Sequence, residues 1–326
     1  MTTPVRVALL GAGTVGAAVA RRLLERADLY AARVGRPLEL VGVAVRDATR
    51  ARDGVDPALL VQDAEALVDQ ADVVVEVMGG LDRARELIER GIRNGAQVVT
   101  ANKQLLAHHG PELEALAAEA GVGLDYEAAV MAAIPVVSVV RESLAGDVVT
   151  SISGIVNGST NFVLDLVARK GVPFEEAVRL AGELGFLEAD PTEDLEGLDA
   201  AAKIVLLARA AWGVPVTLAD VQRRGITGLT DEDFHTASAN GKVIKLVASA
   251  WTSGTHEAPR VELAVRPVAL SQDDPLAQAR EGSNVLIVEA ESAGTLRLHG
   301  AGAGGDETAS AVLGDLVRAA RRVTRA

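Results

Sequence analysis

The stretch VRVALLGAGTVGAAVARRLLER, residues 5–26, decides how the chain begins to fold. Its opening run is aliphatic and β-branched on both faces, the pattern of a strand buried within a parallel sheet. Glycines then fall at positions 11, 13 and 16, directly before a segment with helical periodicity. In a strand, turn and helix of this kind each glycine has a task. Gly11 permits the tight turn, Gly13 lets the backbone approach a pyrophosphate, and Gly16 lets the helix pack close to the strand. Phosphates would rest on the free amides of the helix start, around Thr14 and Val15, where the helix dipole favours anions.

Further runs of the same kind follow at LELVGVAV (38–45), VVVEVM (73–78), AQVVTA (96–101) and VGLDYE (122–127), with helical patterns between them. That alternation reads as a doubly wound α/β domain with a Rossmann-type parallel sheet, residues 1–134. Beyond it come the helical IPVVSVVRESLA, a strand VVTSISGIV (148–156) and several helices through 174–240. Four strand-like runs then follow closely: KVIKLVASAW, VELAVRPVAL, NVLIVEAE and GTLRLHG. Helices first and strands clustered afterwards indicate an α+β domain with a mixed sheet, residues 135–305. A last helix, 306–323, is expected to pack back on the first domain.

The chain has 326 residues, 49% of them hydrophobic and only 2% aromatic, so the cores must be built from Ala, Val, Leu and Ile. A formal charge of −13 opposes nucleic acid and anionic membrane surfaces, which require a positive footprint, and leaves small molecules as the expected partners. No run approaches the roughly 20 apolar residues that span a bilayer. The absence of cysteine rules out disulfides and thiolate chemistry and fits the cytoplasm, the expected location. The histidines (His108, His109, His235, His256, His299) show no metal-ligand spacing and read as structural or exposed.

The second strand ends VAVRD, placing Arg46 where an NAD-specific fold carries an acid for the ribose, with Asp47 one residue later. Arg46, supported by Arg50, suits a 2′-phosphate and favours NADP over NAD. A solvated arginine at a strand end is the competing reading.

The most charged stretch is EADPTEDLEGLDAAAK, residues 188–203, with carboxylates at 188, 190, 193, 194, 196 and 199 and a closing lysine. Asp190, Pro191 and Glu193 have the form of a helix start. The helix is expected to run on through LEGLDAAAKIVLLARAAW. Asp199 and Lys203, four apart, share a face. From spacing alone they read first as a surface ion pair, worth tenths of a kcal/mol. Lysine is scarce here, five residues against 27 arginines. Arginine cannot give up a proton at working pH, so a lysine that closes this stretch at 203 stands out.

The span 181–203 closely resembles the signature of homoserine dehydrogenases, with Asp190, Pro191, Asp194, Gly197, Asp199 and Lys203 in register. VVTANK (98–103), YEAAVMAAIPVV (126–137), GIVNGSTNFVLD (154–165) and HGAGAGGDETASAVLGDL (299–316) resemble the same family in the same order. The resemblance implies reversible NAD(P)H-dependent reduction of L-aspartate 4-semialdehyde to L-homoserine, a step toward threonine and methionine. It implies that Lys203 transfers the proton, with Lys103 near the substrate as a second candidate for that role, and that Glu188, Asp194, Asp199, Asn157 and Gly158 serve the substrate. Asn102, Lys103, Gly302 and Gly304 would join the N-terminal turn and Arg46 at the cofactor. Glu127, with the carbonyls of Val130, Ala132 and Ile134, resembles a monovalent-cation site such as one for sodium. The second domain would be catalytic and would form a homodimer through its sheet. Because the sequence stops soon after its last helix, no appended regulatory domain is expected.

Two departures stand out. The family usually has glycine within the segment where this chain reads Met131-Ala132-Ala133; if a positive φ is needed there, the loop must be rebuilt, since only Gly adopts it without cost. Leu187 replaces a usually small residue beside Glu188. These departures motivate a second reading, the same hydride chemistry on another amino-acid aldehyde. A third is a catalytically silent NAD(P)-binding sensor, against which the intact Lys103, Glu188, Asp199 and Lys203 argue.

Overall fold

The computed structural model describes residues 3–255 and 258–323, so His256 lies outside the described residues. Its strands are β1 (Val5–Leu10), β2 (Leu38–Ala44), β3 (Leu60–Val61), β4 (Val73–Glu76), β5 (Gln97–Thr100), β6 (Leu124–Asp125), β7 (Val149–Ile155), β8 (Val221–Arg223), β9 (Lys242–Thr255), β10 (Ala258–Ser271), β11 (Ser283–Ala290) and β12 (Gly294–Ala301). Its helices are α1 (Thr14–Glu25), α2 (Ala27–Val34), α3 (Ala64–Asp69), α4 (Asp82–Arg93), α5 (Lys103–Ala120), α6 (Ala128–Met131), α7 (Val136–Ser138), α8 (Gly158–Lys170), α9 (Phe174–Glu183), α10 (Thr192–Leu195), α11 (Leu198–Trp212), α12 (Asp231–Ala239) and α13 (Gly305–Arg322). Among the described residues no helix is long and apolar enough to cross a membrane. The fold is α/β with two units. One holds residues up to Ala133 together with those from Ala303 onward, and the other is Ile134–Gly302.

The first unit is built on an all-parallel sheet of order β3-β2-β1-β4-β5-β6. Alternate residues of its central strands serve opposite faces, as the two-residue period of a strand requires. Val5, Val7 and Leu9 of β1, with Val73 and Val75 of β4, pack with α1 and with Val312, Leu313 and Leu316 of α13. Ala8, Leu10 and Val74 face Leu67, Val68 and Leu87 of α3 and α4. Burial on both sides is why these strands read as unbroken apolar runs. Strand order reverses between β1 and β4, the switch point at which doubly wound sheets bind ligands.

The same unit buries a charged cluster. Asp315 on α13 accepts the Glu127 backbone N–H at 2.8 Å and contacts the Arg318 guanidinium, while Arg322 pairs with Asp125. Burial pushes the Asp315 carboxyl up to about 8, and the neighbouring Asp125 and Glu127 carboxylates push the same way against Arg318.

The second unit has a mixed sheet of order β12-β11-β7-β9-β10-β8, antiparallel except for the β8 and β10 pair. Every residue of α11 from Asp199 to Arg209 is buried, as expected of a helix that is apolar all round. Several sequence expectations change here. The 190–212 segment is not one helix: it breaks at Gly197, whose φ is +74°, separating α10 from α11. IPVVSVVRESLA forms only the short α7 and a single wide turn at Val139–Ser143. The short strands β3 and β8 lack a periodicity of their own, because two or three residues carry too little pattern.

Met131 is buried and Ala132 adopts φ +47°, ψ −114°, a backbone region natural to glycine. The conformation expected of a glycine is thus present with alanine occupying it. Strain of this kind costs about 1–3 kcal/mol. Ala132→Gly should therefore leave stability unchanged or raise it by up to about 1 kcal/mol, where an ordinary buried Ala→Gly loses about 1 kcal/mol. Urea unfolding measures this, and a loss of 1 kcal/mol or more would contradict it.

Asp315 predicts a pH dependence. Its folded pKa is about 8 against the ordinary 3.8, so across that interval the folded state binds the extra proton and stability falls as pH rises. Asp315→Asn should flatten the decline in melting temperature between pH 5 and 8. An equal decline in wild type and variant would place the proton elsewhere.

Candidate active site

At the end of β1, Gly11 has φ +102°, and a Cβ on it would lie 2.8 Å from the Met78 Cα. A Cβ on Gly16 would lie 2.1 Å from the Gly11 carbonyl oxygen, so this glycine sets how closely α1 approaches β1. Gly13 meets nothing within 4 Å and caps α1 without a side-chain bond, and the first turn, which includes Thr14 and Val15, carries no acid. The combination of a tight turn, open space and uncompensated first-turn amides fits a dinucleotide pyrophosphate.

Arg46 is exposed just beyond β2, its carbonyl accepting from the Gln62 side chain. The adjacent Asp47 carboxylate accepts from the Thr49 N–H and hydroxyl at 2.9 and 2.6 Å, which hold it below the usual carboxylate range. The nearest acid is therefore engaged within its own loop while the arginine stands in solvent.

Sequence reading missed the network that shapes the loop after β4. Glu76, fully buried, accepts from the Thr100 hydroxyl at 2.6 Å and from the Met78 and Gly79 backbone amides. Burial pushes its carboxyl up, and these bonds oppose the shift. Asn102 caps α5 through Leu105 N–H and donates to the Gly80 carbonyl at 2.7 Å. Lys103 follows, half-buried, as the first residue of α5. The available signal was the single glutamate inside the apolar run VVVEVM.

In the second unit, four of the expected residues form one hydrogen-bonded cluster. Lys203 Nζ donates to the Val156 carbonyl at 2.7 Å and to Asp199 Oδ2 at 2.8 Å. Asn157 Nδ2 donates to the same Asp199 oxygen at 2.8 Å and to Asp194 Oδ1 at 2.6 Å. Asn157 Oδ1 caps α8, accepting from the Thr160 N–H at 2.8 Å. The Asp199 and Lys203 pair is buried, not the surface pair that spacing alone suggested. Replacing a buried ion pair by apolar residues often costs nothing, so stability alone does not account for it. Asn157 links Asp194 to Asp199, the carboxylate paired with Lys203.

Glu188 is exposed and makes no hydrogen bond or ion pair among the described residues, whereas its neighbour Leu187 is buried. Asp190 accepts from Thr192 N–H and hydroxyl, as a helix start requires, and Glu193 is exposed. Glu196 accepts from the Thr227 hydroxyl. A Cβ on Gly158 would lie 2.6 Å from the Gly282 carbonyl oxygen, and one on Gly302 would lie 2.1 Å from Asn284 Nδ2, so both glycines also have steric reasons. Gly304, with φ +133°, precedes α13, where Gly305 lies against Thr14. A groove of about 610 Å³ at Arg224, Thr230, Lys242 and Pro267 contains none of these residues.

Among the described residues no group of three or more His, Asp or Glu side chains is arranged to hold a metal ion. Lys245 was also missed. It is buried, as Lys203 is, and pushed down to about 8 by burial, with Nζ donating to Asn161 Oδ1 at 2.7 Å and the Ala279 carbonyl at 2.8 Å.

Comparison with known proteins matches residues 11–127 to the family model "Homoserine dehydrogenase, NAD binding domain" and residues 135–317 to "Homoserine dehydrogenase". The homoserine dehydrogenase of Corynebacterium glutamicum is 47% identical over 320 residues, which are 97% of this chain and 72% of that protein. The crystal structure of a homoserine dehydrogenase from Thiobacillus denitrificans superposes with a TM-score of 0.93 at 38% identity, covering 98% of this chain and 74% of the other. A hyperthermophilic archaeal homoserine dehydrogenase in complex with NADPH has a TM-score of 0.81 at 28% identity, covering 97% and 98%. Sequence models across both units and near-half identity over almost the whole length place this chain in the homoserine dehydrogenase family, NAD(P)-dependent oxidoreductases acting on a CH–OH group.

Proposed function

We propose that the chain catalyses the reversible NAD(P)H-dependent reduction of L-aspartate 4-semialdehyde to L-homoserine, with Lys203 as the proton donor. The observation that carries this reading is the buried cluster of Lys203, Asp199, Asn157 and Asp194 within a family-matched unit.

Gly11, Gly13 and Gly16 with the first amides of α1 would hold a nicotinamide dinucleotide, which would supply a hydride for the aldehyde carbon. The carbonyl oxygen becomes an alkoxide and needs a proton. Two of the three Lys203 ammonium hydrogens are engaged by Val156 and Asp199, leaving a donor for that oxygen. The proton passes from Nζ to the alkoxide, and the neutral amine is reprotonated from solvent; in the oxidation direction it accepts the proton instead. Asp199 orients the ammonium through its 2.8 Å ion pair. Asp194 positions Asn157. Glu188, exposed and unbonded, is suited to the substrate's α-ammonium. Lys103, the glycines and Asn102 act on the cofactor side in this reading.

Exposed Arg46 and the engaged Asp47 favour NADP over NAD. One carboxylate with three carbonyls suits a monovalent cation better than a divalent one, although Arg318 already stands 3.8 Å from the Glu127 carboxylate. The positive φ of Ala132 supports the homoserine reaction over another aldehyde, since it is the conformation a glycine would take in this segment. Homodimerisation through the mixed sheet and a cytoplasmic location complete the proposal.

Two measurements test it. NADPH oxidation with L-aspartate semialdehyde should exceed NADH oxidation, and Arg46→Glu should narrow or reverse the preference. Lys203→Met should lower kcat by about 10²–10⁴-fold while NADPH affinity is unchanged. No turnover with any amino-acid aldehyde despite cofactor binding would reject the enzyme reading, and full activity in Lys203→Met would reject the proton-transfer role. Sedimentation equilibrium at micromolar concentration should give a mass twice that of the 33.7 kDa chain, and a monomer there would reject the dimer.

A further inference from the structure

The carbonyl that holds Lys203 has a second donor. Val156 O accepts Lys203 Nζ at 2.7 Å and Asn284 Nδ2 at 3.1 Å. Asn284 is the second residue of β11, opposite Gly300 of β12, and has no exposed surface. Among the described residues its side-chain oxygen finds no hydrogen-bond partner. Exchanging the amide's oxygen and nitrogen would set two acceptors against each other at Val156, so the amide orientation follows from the carbonyl. A buried carboxamide with an unbonded oxygen is costly, and leucine would fill nearly the same volume without that cost. Packing therefore does not explain asparagine at this position.

The turn that delivers Asn284 is fixed from several sides. Glu281 has φ +51°, a strained value for a residue with a side chain. Asn161 Nδ2 donates to the Glu281 carbonyl at 2.8 Å and the Ser283 carbonyl at 3.3 Å. Lys245 holds the other end of the Asn161 amide, and Asp165 accepts from the Glu281 N–H at 3.3 Å. Gly158 and Gly282 lie too close for any side chain on the first. On the β12 side, glycine at 302 is imposed by the Asn284 amide itself. A strained turn and three buried polar side chains thus serve to place one amide beside the Lys203 anchor.

We propose that Asn284 is a positioning residue for proton transfer, its amide clamping the Val156 carbonyl against which the Lys203 ammonium is held. It acts through Lys203 and touches neither substrate nor cofactor in this role. The proposal rests on the proton-transfer reading of Lys203. Loss of the clamp frees the carbonyl to shift, and small displacements of a proton donor cost about 10²-fold in rate.

The experiment compares Asn284→Leu and Asn284→Thr with wild type in kcat, KM, melting temperature and the pH dependence of kcat. Asn284→Leu should lower kcat tenfold or more, leave the KM for NADPH unchanged and keep or raise the melting temperature, because the unsatisfied oxygen is gone. Its alkaline limb should move to lower pH, since hydrocarbon beside the ammonium disfavours the charged form. Asn284→Thr, which retains a donor, should recover part of kcat. A folded leucine variant with wild-type kcat and pH profile would overturn the proposal. So would a kcat loss matched by loss of folded protein with an unmoved pH limb. Should the leucine variant fail to fold, wild-type kcat and pH profile in the threonine variant would overturn it, while a lowered kcat with a shifted limb would support it. Inactivity of wild type toward every aldehyde would instead remove the underlying enzyme reading.

Discussion

An ammonium and a carboxylate held out of water, Lys203 and Asp199 at 2.8 Å, form the constraint around which the second unit is organised. Such a pair survives burial only when its remaining hydrogen-bonding capacity is satisfied. The chain meets that demand from separate elements. The end of β7 supplies the Val156 carbonyl, the cap of α8 supplies Asn157, α10 supplies Asp194, and β11 steadies the carbonyl through Asn284. Because α11 is buried along eleven residues, the pair cannot relax into solvent, and its geometry is inherited from the packing around it.

The first unit is organised by close approach rather than by charge. Gly16 brings α1 onto β1, and Gly11 brings the β1 turn against the loop after β4, so two loops meet at the switch point. That second loop is shaped by Glu76, which spends its carboxylate on two backbone amides and a threonine hydroxyl. Backbone amides at the turn are left for a ligand. Both units thus invest buried polar groups in holding short segments in fixed positions, where apolar packing alone would leave them free to move.

The helix and strand periodicities, the glycine turn and the span 181–203 were legible because they are written in neighbouring residues. The Asp199 and Lys203 spacing was legible too, but its meaning was not: the same i and i+4 relation describes a weak surface pair and a buried one. Gly197 looked like one more residue of a continuous helix, because a positive φ leaves no mark on the local periodicity; a Cβ there would lie 3.1 Å from the Val265 side chain of β10. Ala132 shows the reverse case, in which an expected glycine conformation is kept by an alanine that local propensity would place elsewhere.

By itself the sequence determined the two fold classes, the cofactor turn and the identity of Lys203 and three of the residues that meet around it, Asn157, Asp194 and Asp199. Periodicity and glycine spacing act over a few residues, so they can be read without knowing where the chain goes next. Tertiary structure alone decided which charges are buried, which oxygen holds the lysine, and that Glu76, Lys245 and Asn284 matter. Asn284 and Val156 are 128 positions apart. Burial and hydrogen-bond partnership at that separation depend on how strands order within a sheet, and no local pattern records that order.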